Sequence, residues 1–234
     1  MARWCSDRVG REYIKVVPVL LLPVILLYLP NSWARAKFLL GAVMTFGVTS
    51  LPYALEDPFF IFVRVFGYGS LHGQWGLSRI FNLFFPHLTP SLVLLQMTAG
   101  KILLFTAIII ASFWINRRSG RPPLFVQVGF VMFIFMSLTL GFGIQYLAWL
   151  VPWVVGLGMG VTITYYVASG VFQFLVYSFW SGEFPSVFAD SLVKGSWKGE
   201  LVVVEMIVWF AIVFITIYYG QAIKRYYEPA SHAS

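Results

Sequence analysis

The side chains best equipped for chemistry crowd into residues 56–90, EDPFFIFVRVFGYGSLHGQWGLSRIFNLFFPHLTP. Arg64 and Arg79 bring guanidinium groups, which stabilise the charge that gathers on a phosphate as a bond to it breaks. Glu56 and Asp57 are adjacent acids at the head of the stretch, placed to serve as a general base. His72 and Gln74 offer hydrogen bonds to a polar ligand, and Tyr68 and Trp75 offer ring faces on which a sugar can stack. A second group lies in GFGIQYLAWLVPW, where Gln145 and Trp149, four apart, share one helix face and Tyr146 adds a further ring. Each has a plainer reading. Arginines at a membrane boundary snorkel to headgroups. Asp57 before Pro58 makes a helix cap. Boundary aromatics anchor in the interface, and Gln145 can find partners in helix packing.

Two short helices must position the first group. The sequence predicts one from Asp57 to about Gly67, with Phe59, Phe62, Val63 and Phe66 on one face and Arg64 and Tyr68, four apart, on another. A second, from Leu77 to Phe85, sets Leu77, Ile80, Phe81 and Phe84 against Ser78, Arg79 and Asn82. Amphipathic helices of this kind lie in the membrane interface. Between them GYGSLHGQWG carries four glycines, and its backbone is free to turn His72, Gln74 and Trp75 toward a ligand. No zinc spacing of His and Glu, phosphate loop or dinucleotide glycine pattern accompanies them, so no metal site is expected and the cofactor is left unknown. The single cysteine, Cys5, excludes an internal disulfide and a thiolate cluster.

The rest of the chain defines the medium. Of 234 residues, 59% are hydrophobic and 11% charged, and the mean hydropathy is +0.82, values of an integral, multi-pass membrane protein. The expected fold is an all-α transmembrane bundle, one domain over residues 1–234 with about seven spans. They fall at residues 13–30, 38–55, 91–114, 124–140, 146–161, 162–180 and 201–219, with the two interfacial helices in an external loop, 56–90. The net charge of +7 comes from basic residues at the ends of apolar runs, as membrane topology requires, and nucleic acid is excluded as a partner. Arg117, Arg118 and Arg121 mark a cytoplasmic loop. Counting from it puts Arg35, Lys37, Lys224 and Arg225 on the same side and loops 56–90 and 183–198 outside. The N-terminus then falls outside although it carries Arg3, Arg8, Arg11 and Lys15, so either the first span is not a true crossing or, as the features below favour, earlier spans are expected upstream of Met1.

Two charges sit inside spans. Lys101 is roughly 16 Å into the third, near mid-bilayer, at about 1.5 Å per residue. A lysine there costs roughly 2.5–3.5 kcal/mol on insertion, so it is expected to face the bundle interior or a wet cavity. Glu205, one turn inside the last span, is its expected partner, either as a packing ion pair or as a pathway charge.

Four segments in order carry a family resemblance: Lys15 to Pro23 leading into an apolar span, LPYALEDP, RVFGYGSLHGQWGLSR and GFGIQYLAWLVPW. Together they resemble the C-terminal half of bacterial GT-C type glycosyltransferases, integral membrane enzymes of the mannosyltransferase-like group. The most specific pieces are GQWG at Gly73 to Gly76 and QYLAWLVPW at Gln145 to Trp153. The resemblance implies transfer of a sugar from a polyprenyl phosphate to an acceptor on the outer face of the bacterial inner membrane. Membrane lipids and the polyprenyl-phosphate sugar would be its partners. Catalytic carboxylates of the family stand in an external loop near its N-terminus, which has no counterpart here. The resemblance therefore implies a fragment, completed by an N-terminal catalytic half or a partner subunit.

Two other classes stay open: a non-catalytic membrane subunit that binds the lipid-linked sugar, and a small-solute transporter. An enzyme needs a carboxylate within reach of Arg64 and Arg79. A subunit needs a large apolar lateral face, and a transporter a polar path through several spans.

Overall fold

A computed structural model of the chain describes residues 17–56, 71–72, 75–85, 87, 90–117, 121–181 and 200–227. A 3-10 turn, Val17–Leu21, runs into α1 (Leu22–Tyr28), whose Pro23 lies in the first turn, where its missing amide leaves no bond unmade. The corner into α2 (Ser32–Glu56) is set by Asn31 Oδ1, which accepts from the Ala34 amide at 2.7 Å as a helix cap. Arg35 Nε and Nη2 reach back to the Leu29 carbonyl at 3.3 and 3.2 Å. A two-residue strand, β1 (Leu71–His72), precedes α3 (Gly76–Phe84) and α4 (Pro90–Asn116). Then follow α5 (Leu124–Leu138), β2 (Gly141–Phe142), α6 (Tyr146–Val154), α7 (Met159–Ser181) and α8 (Glu200–Tyr227).

The bundle is all-helical apart from the antiparallel pairing of β1 with β2, Leu71 opposite Phe142 and His72 opposite Gly141. Its central helix is α5, which packs on α1, α3, α4, α6 and α8. Gly129 permits the closest approach, since a Cβ there would lie 2.5 Å from the Trp153 ring and 2.8 Å from the Tyr219 hydroxyl. At the N-terminal end of α5, Arg121 Nη2 donates to the carbonyls of Leu27, at 2.9 Å, and Tyr28, satisfying two acceptors at the open end of α1. Its guanidinium also lies 4.6 Å from the Tyr28 ring centroid.

Among the described residues three stretches are long and apolar enough to cross a membrane: Ser91–Asn116 in α4, Met159–Ser178 in α7 and Leu201–Arg225 in α8. Val19–Tyr28, Leu124–Leu138 and Tyr146–Leu157 are apolar but shorter. The chain thus reads as a membrane protein. The expected division at residue 161 falls earlier, because a 3-10 turn, Val155–Leu157, ends at Gly158 with φ +103°, a backbone suited to glycine. The helix expected at 57–67 lies outside the described residues.

Candidate functional site

The cluster that gathers the predicted polar groups is built on the C-terminal end of α5. The last carbonyls of a helix have no partner within it, and here two indoles supply one. Trp75 Nε1 donates to the Met136 carbonyl at 2.9 Å, and Trp209 Nε1, from α8, to the Ser137 carbonyl at 3.0 Å. Between them Gly76 turns the chain at φ +47°, with Trp209 so close that an added Cβ would lie 2.3 Å from its Nε1. Only glycine meets both demands. The β1–β2 pairing ties the segment ahead of α3 to the residues just beyond α5.

From that anchor α3 presents its two faces as the sequence separates them. Ser78 Oγ donates to the Trp75 carbonyl at 2.8 Å. One turn in, Arg79 Nε and Nη2 both donate to Glu205 Oε2, at 3.2 and 3.1 Å. Glu205 is fully buried and Arg79 nearly so, while the second carboxylate oxygen, Glu205 Oε1, is buried without a hydrogen bond. The polar face of α3 therefore points into the bundle, onto α8, rather than out to water.

The opposite face of α3 walls a groove of about 660 Å³. Leu77, Ile80, Phe81 and Phe84 line one side, Leu95, Gln96, Ala99 and Leu103 of α4 the other, and Leu138 and Leu140 the floor. A Cβ at Gly100 would lie 1.9 Å from Leu140 Cδ1, so the missing side chain lets the floor meet α4. The lining is apolar except for Gln96, whose Oε1 is buried with no hydrogen bond.

Several expectations are corrected by this geometry. Lys101 does not pair with Glu205, because α3 inserts Arg79 onto the carboxylate; Lys101 stands exposed on α4. Trp75 is fully enclosed and Tyr146 is 2% exposed, so neither ring is open for a sugar to stack upon. The Tyr146 ring packs on Phe135 and Trp149, with centroids 5.7 and 4.7 Å away. Gln145, at the head of α6, and Trp149 are half-buried. Arg79 is bound in an ion pair rather than free for a phosphate. Asp57, Arg64, Tyr68 and Gln74, and the side chains of Glu56 and His72, lie outside the described residues.

Two participants went unsuspected in the sequence. Gln96 carried the same signal as Lys101, a polar side chain within an apolar run. Trp209 carried none, since an indole in an apolar span is ordinary. Among the described residues no three His, Cys, Asp or Glu side chains come together to ligate a metal. No family model, no curated protein and no solved structure matches the chain.

Proposed function

We propose that this chain is the lipid-substrate-binding membrane part of a polyprenyl-phosphate-dependent glycosyltransferase. The observation that carries the reading is the groove between α3 and α4, about 660 Å³ of apolar space beside an amphipathic helix. Apolar clefts of this size suit an isoprenoid chain, with a few polar groups to fix its orientation. The sugar-transfer part of the reading comes from the sequence resemblance, which points to hexosyl transfer on the outer face of a bacterial inner membrane. In this reading all seven apolar segments are embedded in the bilayer, the short ones packed around α5. The catalytic carboxylates come from an N-terminal half or a partner subunit, because Glu205 is buried and already holds Arg79.

A non-catalytic subunit is the second reading, favoured by α2. Of its described side chains only Ser50 is buried, which leaves the lateral apolar face that such a subunit needs. The transporter reading draws little support from four hydroxyls of α4 and α7. Thr98, Ser112, Thr164 and Ser169 each return their hydroxyl to the carbonyl four residues earlier.

The test is titration of the purified protein in detergent with a short polyprenyl phosphate. Ala99 lines the groove and is exposed, so Ala99→Trp should fill the space without touching the Arg79–Glu205 pair. A loss of affinity of about tenfold or more is expected, the effect of roughly 1.4 kcal/mol. Equal affinity in the two proteins would remove the groove as the lipid site.

A further inference from the structure

Along α4, Leu94, Thr98, Lys101, Phe105, Ile108, Ser112 and Ile115 recur at alternating spacings of four and three, the seam of a helix packed lengthwise on another. The two halves of this seam differ. Ile108, Ser112 and Ile115 are fully buried, beneath neighbours drawn from α1 and α5, which both pack on α4. Leu94 is 67% exposed and Phe105 41%, and Thr98 and Lys101 between them are exposed as well. Among the described residues, the C-terminal end of α1 lies beside the C-terminal end of α4. The last carbonyls of α1 are held by Arg121, just past the end of α4.

The uncovered half holds a charge where lipid cannot satisfy it. Lys101 lies roughly 16 Å from the start of α4 and 22 Å from its end, deeper than its stem can carry the ammonium to either interface. Among the described residues it has no ion pair or hydrogen bond. We propose that the N-terminal half of this seam docks a transmembrane helix of a different chain, one that carries an Asp or Glu at the depth of Lys101. A second copy does not fit. The one acid inside the candidate spans is Glu205, buried on Arg79, and a two-fold contact along the seam would set lysine against lysine. The seam lies on the face of α4 opposite the groove, so this inference stands apart from the lipid-binding reading.

The test uses the full chain in phosphatidylcholine vesicles, labelled on Cys5, the single cysteine, with energy transfer to synthetic Leu/Ala membrane helices. One probe has a central Asp, a second Leu at the same place and a third Lys; central placement serves either orientation. The Asp helix should bind about tenfold more tightly than the Leu helix. Lys101→Leu should erase the difference, and Lys101→Glu should transfer the preference to the Lys helix, a gain that a misfolded protein cannot give. Equal binding of the Asp and Leu helices to the unmodified chain would overturn the proposal. So would a preference for Asp that survives Lys101→Leu, or a crosslink joining Lys101 to an acid of its own chain.

Discussion

Helices α2 and α5 are both apolar, yet the shorter is the one the bundle encloses. In α5, 15 residues long, nine are buried; in α2, 25 residues long, Ser50 is the one buried side chain among those described. Lipid tails are as apolar as leucine, so composition alone does not decide which helix faces protein. What separates the two is the fit of small and polar residues. Gly129 of α5 seats Trp153 and Tyr219, whereas Gly41 and Gly47 of α2 meet nothing within 4 Å. Ser137 of α5 exchanges a 2.8 Å hydrogen bond with Thr216 across the helix contact. Thr49 of α2 turns instead to the Thr45 and Phe46 carbonyls of its own helix.

The sharpest way to break the enclosed region is through its ion pair. Glu205→Leu leaves Arg79 buried without a counter-charge, and removing one partner of such a pair costs roughly 3–5 kcal/mol. Thermal unfolding in detergent should show a large loss for that variant and recovery of most of it in the double variant Arg79→Met, Glu205→Leu. Equal damage in both would mean that the carboxylate is held by something other than Arg79. A smaller effect separates the two helices by the same substitution. Gly129→Ala forces a methyl against Trp153 and Tyr219, an overpacking cost of roughly 1–3 kcal/mol. Gly41→Ala, in open surroundings, should change stability by less than about 0.5 kcal/mol. Similar melting shifts for the two would contradict the contrast drawn between α2 and α5.

Much of this was legible in the chain, and the pattern of what was not is physical. The apolar spacing of Leu77, Ile80, Phe81 and Phe84 predicts a helix at Leu77 to Phe85, and α3 forms at Gly76–Phe84 with its faces divided as expected. The direction in which those faces point was not legible, because it is set by Glu205, 126 residues away. For the same reason Lys101 and Glu205 were recognisable as charges needing an explanation, while their partners were not. Trp75 looked like a platform for a ligand. Its role as a cap on the Met136 carbonyl depends on where α5 ends, which a continuous apolar run does not disclose. The division between α6 and α7 was blurred by Gly156, Gly158 and Gly160, of which Gly158 alone takes the positive φ that makes the turn.

The proposed lipid site is the α3–α4 groove rather than any exposed apolar helix, and α2 supplies the internal control. A polyprenyl phosphate bearing a diazirine in its chain, photolysed with the purified protein and mapped by peptide mass, tests this most directly. Label is expected on Leu77, Phe81, Leu95, Ala99 or Leu103, competed by unlabelled polyprenyl phosphate and reduced by Ala99→Trp. Label spread equally over α2, at Leu40, Val43 or Met44, and indifferent to competitor would contradict it.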